Sequence, residues 1–158
     1  MTAVVRPVSR TKRNSVILDS IDHAIIALLR DDGRMSAEEL SRRVALSRPA
    51  VAGRLKRLHD CGAIRGYTVL PDWELLGYTI MAYVQIRTTL KCRDMARHIL
   101  NLRIEGLQVE ECHRLTGEWD LLAKIRATSS SVIEAFLDDL NDSGSVQATM
   151  TMLSLSTL

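Results

Sequence analysis

The sequence has few cysteines and no long apolar run, and both shortages exclude classes of protein. Its three cysteines, Cys61, Cys92 and Cys112, lie far apart, without a CxxC pair or a histidine at metal-ligand spacing. This spacing favours reduced thiols over disulfides or a structural metal site. No stretch approaches the roughly 20 apolar residues that span a bilayer, and the N-terminus lacks a signal-peptide core. We therefore expect a cytoplasmic protein with no metal and no membrane partner.

Charge is divided unevenly along the 158 residues. Residues 1–66 hold 13 Lys and Arg against 7 Asp and Glu, whereas residues 67–158 hold 8 against 12. A basic first half suits a polyanion, and an acidic second half does not. Residues 1–17 show no sustained period and are expected to form a disordered basic arm, which either adds phosphate contacts or is a solvated leader.

Three short helices are predicted after the arm. The first begins at Asp19 and is expected to end at Gly33 as its C′ residue. Ser36 has the form of a capping-box residue for the second helix, and Ser47 can cap the third. The short connection between the last two helices is typical of a helix-turn-helix. The expected core of this head is Leu40, Val44, Leu46, Val51, Leu55 and Leu58.

The third helix presents small and basic residues on the side opposite its apolar stripe. Gly53 in its interior costs roughly 1 kcal/mol relative to Ala, a loss that suits close approach to a DNA groove wall. A plain αα-hairpin is the alternative, and the basic face favours DNA. Arg54 flanks the apolar stripe and could instead pair with a carboxylate inside the head. The candidate DNA-binding residues are Ser47, Arg48, Pro49, Ala50, Gly53, Arg54, Lys56 and Arg57.

From Gly77 onward the apolar pattern alternates and predicts the order β-α-β-β-α-β. Strands are expected from Ile80, over 108–116, over 119–127 and over 146–155, with helices over 94–101 and from a capping box at 131–134. This is the ferredoxin-like arrangement, in which two helices cover one sheet face. The other face, to which we assign Met81, Tyr83, Leu153 and Leu155, would be covered by a second subunit. The β-prone residues 64–70 are expected to form a linker strand.

Several short motifs, in order, resemble the Lrp/AsnC, or feast/famine, transcriptional regulators. They are Leu18-Asp19-x-x-Asp22, Asp32-Gly33-Arg34, Leu40-Ser41-x-x-Val44, Leu46-Ser47, Val51-x-x-Arg54-Leu55-x-x-Leu58, Gly62-x-Ile64-x-Gly66-Tyr67 and Glu111-Cys112-His113-x-x-Thr116-Gly117-x-x-Asp120. The resemblance covers the chain from Leu18 to its end. Ala45 departs from the family pattern, which usually has Gly there, and would cost about 1 kcal/mol if the turn needs φ > 0.

The resemblance implies an α+β protein with a winged-type helix-turn-helix head (18–66), a β-linker (67–76) and a ferredoxin-like βαββαβ sensor (77–158). It also implies a nucleoid-associated regulator that binds double-stranded DNA as a dimer or a higher oligomer such as an octamer. The implied ligand is a small effector, an amino acid or a similar molecule, and no cofactor is expected. The candidate effector-binding residues are Gly117, Glu118, Trp119, Asp120, Thr149 and Thr151.

In this scheme Asp120 would bind the effector's ammonium group, and the backbone at Gly117 would bind its carboxylate. Taken alone, the loop could equally be an ordinary hairpin turn. The alternative function is an enzyme, because some tetrapyrrole-decarboxylating proteins are similar to this family and use histidines in the second domain. The histidines available there, His98 and His113, lack a dense set of polar neighbours in the sequence. We therefore expect no catalytic residues.

Overall fold

The structure is a computed structural model that describes residues 17–156. Within that range the chain divides between Leu70 and Pro71 into two compact units. We call residues 17–70 the head and residues 71–156 the sheet unit. The division falls inside the predicted linker of residues 67–76. The predicted basic arm lies outside the described residues, apart from Ile17.

Three helices make up the head, and a side chain caps each of them. They are α1 (Ser20–Asp31), α2 (Ala37–Arg43) and α3 (Arg48–Asp60). Asp19, Ser36 and Ser47 each accept a hydrogen bond from a backbone N–H of the first helical turn. These bonds satisfy donors that have no partner within the helix, so the sequence sets where each helix begins.

A small apolar core joins the three helices. The prediction is confirmed for Leu40, Val51 and Leu58, which are fully buried. Val44, Leu46 and Leu55 are half-buried at its edge. Ile25 of α1 and Ile64, just beyond α3, complete the core. Ile64 therefore belongs to the head, and the prediction that it starts the linker strand was wrong.

Two turn predictions in the head have different outcomes. Ala45, between α2 and α3, has φ +54° and is the non-glycine residue with positive φ among those described. The turn thus has the left-handed conformation in spite of the Cβ of Ala45. Gly33 follows the α1 C-cap Asp32, but its φ lies outside the left-handed region. It therefore does not end α1 as a left-handed C′ glycine, because the extended Asp32 already turns the chain away.

Residues 65–70 form neither helix nor strand and pair with no strand in the described part of the chain. Within that part the head is helical only, so the expected linker strand does not form in a single copy of the chain. Tyr67 anchors the first half of this segment, since the phenol lies 3.4 Å from His59 Nε2 at the end of α3. Val69 and Leu70 are 73% and 95% exposed. A strand needs a partner for its hydrogen bonds, and a single copy of the chain supplies none here.

The sheet unit has the predicted βαββαβ order. Its elements are β1 (Ile80–Thr88), α4 (Cys92–Asn101), β2 (Leu107–Arg114), β3 (Leu121–Ala127), α5 (Ser130–Asp142) and β4 (Val146–Leu153). The strands form one antiparallel sheet in the order β2-β3-β1-β4. In the described residues, no helix is long and apolar enough to cross a membrane.

Alternation along β1 separates a covered sheet face from an open one. Ala82, Val84 and Ile86 are fully buried against the two helices. Met81 and Tyr83 point to the other face, as predicted, and β4 places Met152 opposite Tyr83. The assignment of Leu153 to the open face was wrong, because Leu153 pairs with Ala82 and shares its parity.

Leu155 lies beyond the end of β4, so its assignment to that sheet face was wrong too. On β4 the open face instead carries Met150 and Met152, which alternate with the residues of the covered face. Part of the open face is covered from within the sheet unit. Trp73 lies 5.6 Å from the Arg126 guanidinium, which is paired in register with Met81 of β1.

Two local features of the sheet unit were not predicted correctly. The N-cap of α5 is Ser129, not Ser131, and its side chain makes no capping hydrogen bond. Ser129 is extended, so the helix starts two residues early, and the Ser131 hydroxyl bonds to the Ser129 hydroxyl instead. A register shift between Val109 and Glu111 interrupts β2. A bulge of this kind leaves no periodic signal in the sequence.

Candidate DNA-binding and effector-binding sites

The outer face of α3 is open and small. Pro49, Ala50, Gly53 and Lys56 are all exposed. A Cβ built on Gly53 would meet no atom within 4 Å, so no contact inside the protein requires a glycine there. A glycine in the middle of an exposed helix costs roughly 1 kcal/mol relative to Ala. Gly53 therefore lowers the stability of α3, and no contact within the protein explains why a glycine is present.

Two cations on α3 form exposed ion pairs. Arg48 lies 2.6 Å from Glu38 of α2, and Lys56 lies 2.6 Å from Asp60. The hydrogen bond to Asp60 raises the pKa of Lys56. All four side chains are more than half exposed. Exposed pairs of this kind contribute little to stability and exchange readily for another anion.

Arg54 and Arg57 are directed at carboxylates of α1 instead. Arg54 Nη1 donates to Asp19 at 2.7 Å and to Asp22 at 2.8 Å, and Arg57 also donates to Asp22. The alternative foreseen for Arg54 is therefore what the structure contains. Their role as DNA contacts stays a prediction, and each has another partner. The sequence holds a signal for this, since two acids three residues apart match two arginines three residues apart.

Ionisation of both carboxyls is favoured. Burial alone would raise the pKa of Asp22, but hydrogen bonds from Arg54, the Asp19 N–H and Arg57 outweigh it and lower that pKa. For Asp19, the hydrogen bond from the Asp22 N–H and the contact with Arg54 lower the pKa. A buried carboxylate with this set of donors stays charged near neutral pH.

The predicted effector loop connects β2 to β3 and is fixed to β1. Gly117 has φ +106°, a conformation that requires glycine. The Asp120 N–H donates to Ile86 O at 3.0 Å, and Asp120 Oδ2 accepts from the Thr88 N–H at 2.9 Å. Asp120 therefore holds the loop in place, a role that the sequence reasoning missed. Its carboxylate still has acceptor capacity beyond that one bond.

Thr149 and Thr151 lie on β4, across β1 from the loop. Thr149 pairs with Ile86 and Thr151 with Val84, so both share the parity of the covered face. Because Ile86 also accepts from Asp120, Thr149 and Asp120 flank β1 at the same level. The structure thus places the two groups of candidates near one end of the sheet, on either side of one strand.

Arg87 is a neighbour of the loop that the sequence reasoning missed. Its guanidinium lies 5.8 Å from the Trp119 ring and 3.7 Å from Glu118. Arg87 Nε and Gln85 Oε1 are buried polar atoms without a hydrogen-bond partner. Both residues lie on the open side of β1, two positions apart, which alternation along the strand could have indicated.

The two histidines of the sheet unit are not brought together. His98 on α4 lies 2.7 Å from Asp139 of α5, and His113 on β2 lies 2.6 Å from Glu111. His98 lies on a helix that covers one face of the sheet. His113 pairs with Leu122, whose side chain is directed to the opposite, open face. Each histidine therefore has one exposed carboxylate partner, and the two belong to opposite faces. In the described residues, no cluster of His, Cys, Asp or Glu is arranged to hold a metal ion.

Comparisons with known proteins agree with both units. The model of the AsnC-type helix-turn-helix domain matches residues 18–59, and the model of the Lrp/AsnC ligand binding domain matches residues 81–158. An HTH-type transcriptional regulator of Pyrococcus abyssi is 33% identical over 142 residues, which cover 90% of this chain and 92% of that protein. The leucine-responsive regulatory protein of Escherichia coli is 34% identical over 133 residues, which cover 84% of this chain and 80% of that protein.

A solved structure shares the whole architecture. The transcriptional regulator of Neisseria meningitidis in complex with L-Met has a TM-score of 0.80 at 29% identity, covering 90% of this chain and 92% of that one. The predicted order of head and ferredoxin-like unit is confirmed by this match together with the two domain models. This chain belongs to the Lrp/AsnC family of transcriptional regulators.

Proposed function

We propose that this protein is a transcriptional regulator that binds double-stranded DNA through the outer face of α3 and responds to an amino acid bound in the sheet unit. Gly53 is the observation that carries the first part. It lowers helix stability and nothing inside the protein requires it, which is expected where a groove wall must approach the backbone. The proposed contacts are Ser47, Arg48, Pro49, Ala50, Gly53 and Lys56.

Gly53→Ala tests this proposal because stability and binding should move in opposite directions. The head should become more stable by about 1 kcal/mol. Binding to a site selected from random-sequence DNA should weaken roughly 5-fold to 150-fold, as expected when about 1–3 kcal/mol is lost by overpacking a close interface. Unfolding by denaturant and mobility-shift titration measure the two effects.

Gly62→Ala is the matched control. It makes the same change just beyond α3, where φ is +75° and a Cβ is strained. This variant should lose stability, while its folded fraction should keep the DNA affinity of the wild type. Full DNA affinity in Gly53→Ala would place the DNA on another surface of the head.

An amino acid is the proposed effector. Its ammonium would bind the Asp120 carboxylate, its carboxylate would bind backbone N–H groups near Gly117, and Thr149 and Thr151 would add hydroxyls. Asp120 and Thr149 both lie beside Ile86, on opposite edges of β1, which supports a shared site. A screen of the twenty amino acids by thermal shift would identify the ligand, because a ligand stabilises the folded state that binds it.

Asp120→Asn tests the charge without removing the acceptor for Thr88. A charge-assisted hydrogen bond contributes about 1.5–3 kcal/mol, so calorimetry should show affinity lower by one to two decades. Asp138→Asn, an exposed carboxylate of α5, is the control and should bind normally. Wild-type affinity in Asp120→Asn would mean that the loop is a turn only and that the effector binds elsewhere.

Assembly is the third part of the proposal. The open sheet face carries Met81, Tyr83, Met150 and Met152, and the last two are 41% and 39% exposed. Apolar surface of this kind is commonly covered by a second subunit, so we expect a dimer that can assemble further, up to an octamer, on the nucleoid in the cytoplasm. Met152→Lys should shift sedimentation toward the monomer, whereas Glu134→Lys on the exposed side of α5 should not.

A further inference from the structure

Asp22 is the charged side chain that is fully buried among the described residues. Its Oδ2 accepts the Asp19 N–H at 3.1 Å as part of the α1 capping box, and this bond is all that capping requires. Its Oδ1 also accepts from Arg54 at 2.8 Å, and Oδ2 accepts from Arg57. The two arginines come from α3, more than thirty residues further along the chain. Helix capping therefore explains only part of this site.

The pairing divides the cations of α3 into two groups. Arg48 and Lys56 pair with exposed carboxylates and can exchange them for phosphates at little cost. Arg57 pairs with a carboxylate that has no access to water, so its departure would leave a buried charge short of a donor. At 100° per residue, Arg57 lies between Arg54 and the outer face at Gly53. It is 45% exposed and close enough to that face to reach DNA if it were released.

We propose that Asp22 is a positioning residue of the DNA-binding head. Its buried carboxylate fixes the orientation of α3 on α1 and withholds the Arg57 guanidinium from phosphates. The inference rests on the proposed function, since it concerns how α3 meets DNA. A withheld cation lowers affinity for DNA of any sequence, because phosphate contacts carry no sequence information. Asp22 therefore limits the electrostatic affinity of the head for specific and random DNA alike.

Asp22→Asn separates this role from support of the fold. It keeps the shape of the side chain and one acceptor oxygen but releases Arg57. The slope of log K against log salt should become steeper by about 0.9, the value for one additional phosphate contact. Affinity for random-sequence DNA and for the selected site should both rise several-fold, and their ratio should stay near the wild-type value. A role in folding alone would lower both affinities and leave the slope unchanged.

Two further variants show whether Arg57 is the cause. Asp22→Asn combined with Arg57→Ala should return the slope to the wild-type value. Asp31→Asn removes the same charge from an exposed position at the end of α1 and should leave the slope within error of the wild type. A steeper slope in Asp31→Asn, or one that persists without Arg57, would attribute the effect to general charge and overturn the proposal.

Arg57→Ala in the wild-type background decides the matter even if Asp22→Asn does not fold. Arg57 is withheld, so its loss should leave the salt slope unchanged, whereas Lys56→Ala should reduce it by about 0.9. A reduction of similar size in Arg57→Ala would show that Arg57 already contacts phosphate and would overturn the inference. Failure of the wild-type protein to bind DNA at any salt concentration would instead refute the proposed function, and the inference with it.

Discussion

The head and the sheet unit hold their helices in place by different means. In the sheet unit, α4 and α5 pack on the sheet through a continuous apolar cluster that includes Phe136, Met95 and Ile125. In the head, the apolar cluster is smaller, and a buried carboxylate with two arginines joins α1 to α3. The free energy gained by burying apolar surface does not depend on pH or on a particular geometry. The strength of a hydrogen-bonded ion pair depends on both. The contact between α1 and α3 of the head therefore depends more on geometry and on pH than the contacts of α4 and α5 with the sheet.

The largest effect should come from removing the centre of the apolar cluster. Phe136 is fully buried, and Phe136→Ala should destabilise the sheet unit by about 3–5 kcal/mol, because it loses transfer free energy and leaves a cavity. Hydrogen exchange should show faster exchange at amides of residues 71–156. Glu134→Ala, an exposed change on the same helix, is the control. If Phe136→Ala accelerates exchange at amides of the head to the same degree, the two units unfold together.

Gly106 should give the next largest effect. It has φ +77°, and an added Cβ would lie 2.4 Å from Thr128 Oγ1 and 3.2 Å from Val132 Cγ2. Left-handed strain and overpacking together should make Gly106→Ala destabilising by about 2–4 kcal/mol. Gly144→Ala has a similar φ of +63° but no atom within 4 Å of the new Cβ. The difference between the two variants in chemical denaturation measures the clash alone, and equal losses would mean that Thr128 moves away freely.

Acid should loosen the head before the sheet unit. The folded-state pKa of Asp22 lies below its ordinary value of 3.8, so the ionised carboxylate stabilises the fold above that value. This stabilisation is lost as the pH falls through the folded-state pKa. Below pH 3.8, head amides should therefore lose protection against hydrogen exchange before amides of the sheet unit do. At pH 7 the Tm of Asp22→Asn should be lower than that of the wild type by several degrees. On acidification its Tm should fall less than that of the wild type, and an equal fall would contradict this prediction.

The sequence predicted the elements of both units better than their connections to one another. Capping residues such as Ser36 and Ser47 and the alternation along β1 act within one segment, so they can be read from a single stretch of chain. Leu153 was placed on the wrong face because parity at a strand end depends on its partner, here Ala82. The carboxylate that could pair with Arg54 was not identified from the sequence, since the contact of Asp22 with α3 forms only when the helices pack.

The candidate sites show the same limit. The outer face of α3 follows from helical periodicity, and its exposed residues were all foreseen. The hydrogen bond that Asp120 accepts from the Thr88 N–H was not foreseen, because the sequence does not show which backbone donor of β1 lies beside the loop. Arg87 was missed because its contact with Trp119 joins β1 to the loop between β2 and β3, which are distant in sequence. Contacts between segments distant in sequence need the register of the sheet, which one sequence does not provide.

The smallest effect concerns the turn between α2 and α3, where the head uses Ala in a left-handed conformation. A Cβ at φ +54° crowds the following carbonyl and costs about 1–2 kcal/mol, a strain that glycine avoids. Glycine has more conformational freedom in the unfolded chain, which offsets part of the gain. Ala45→Gly should therefore stabilise the head by about 1 kcal/mol in chemical denaturation. Ala50→Gly, in the right-handed first turn of α3, should destabilise it by up to about 1 kcal/mol. Because Ala45 lies in the turn that sets α3 against α2, a gain in stability with unchanged DNA affinity would show that the strain has no part in binding.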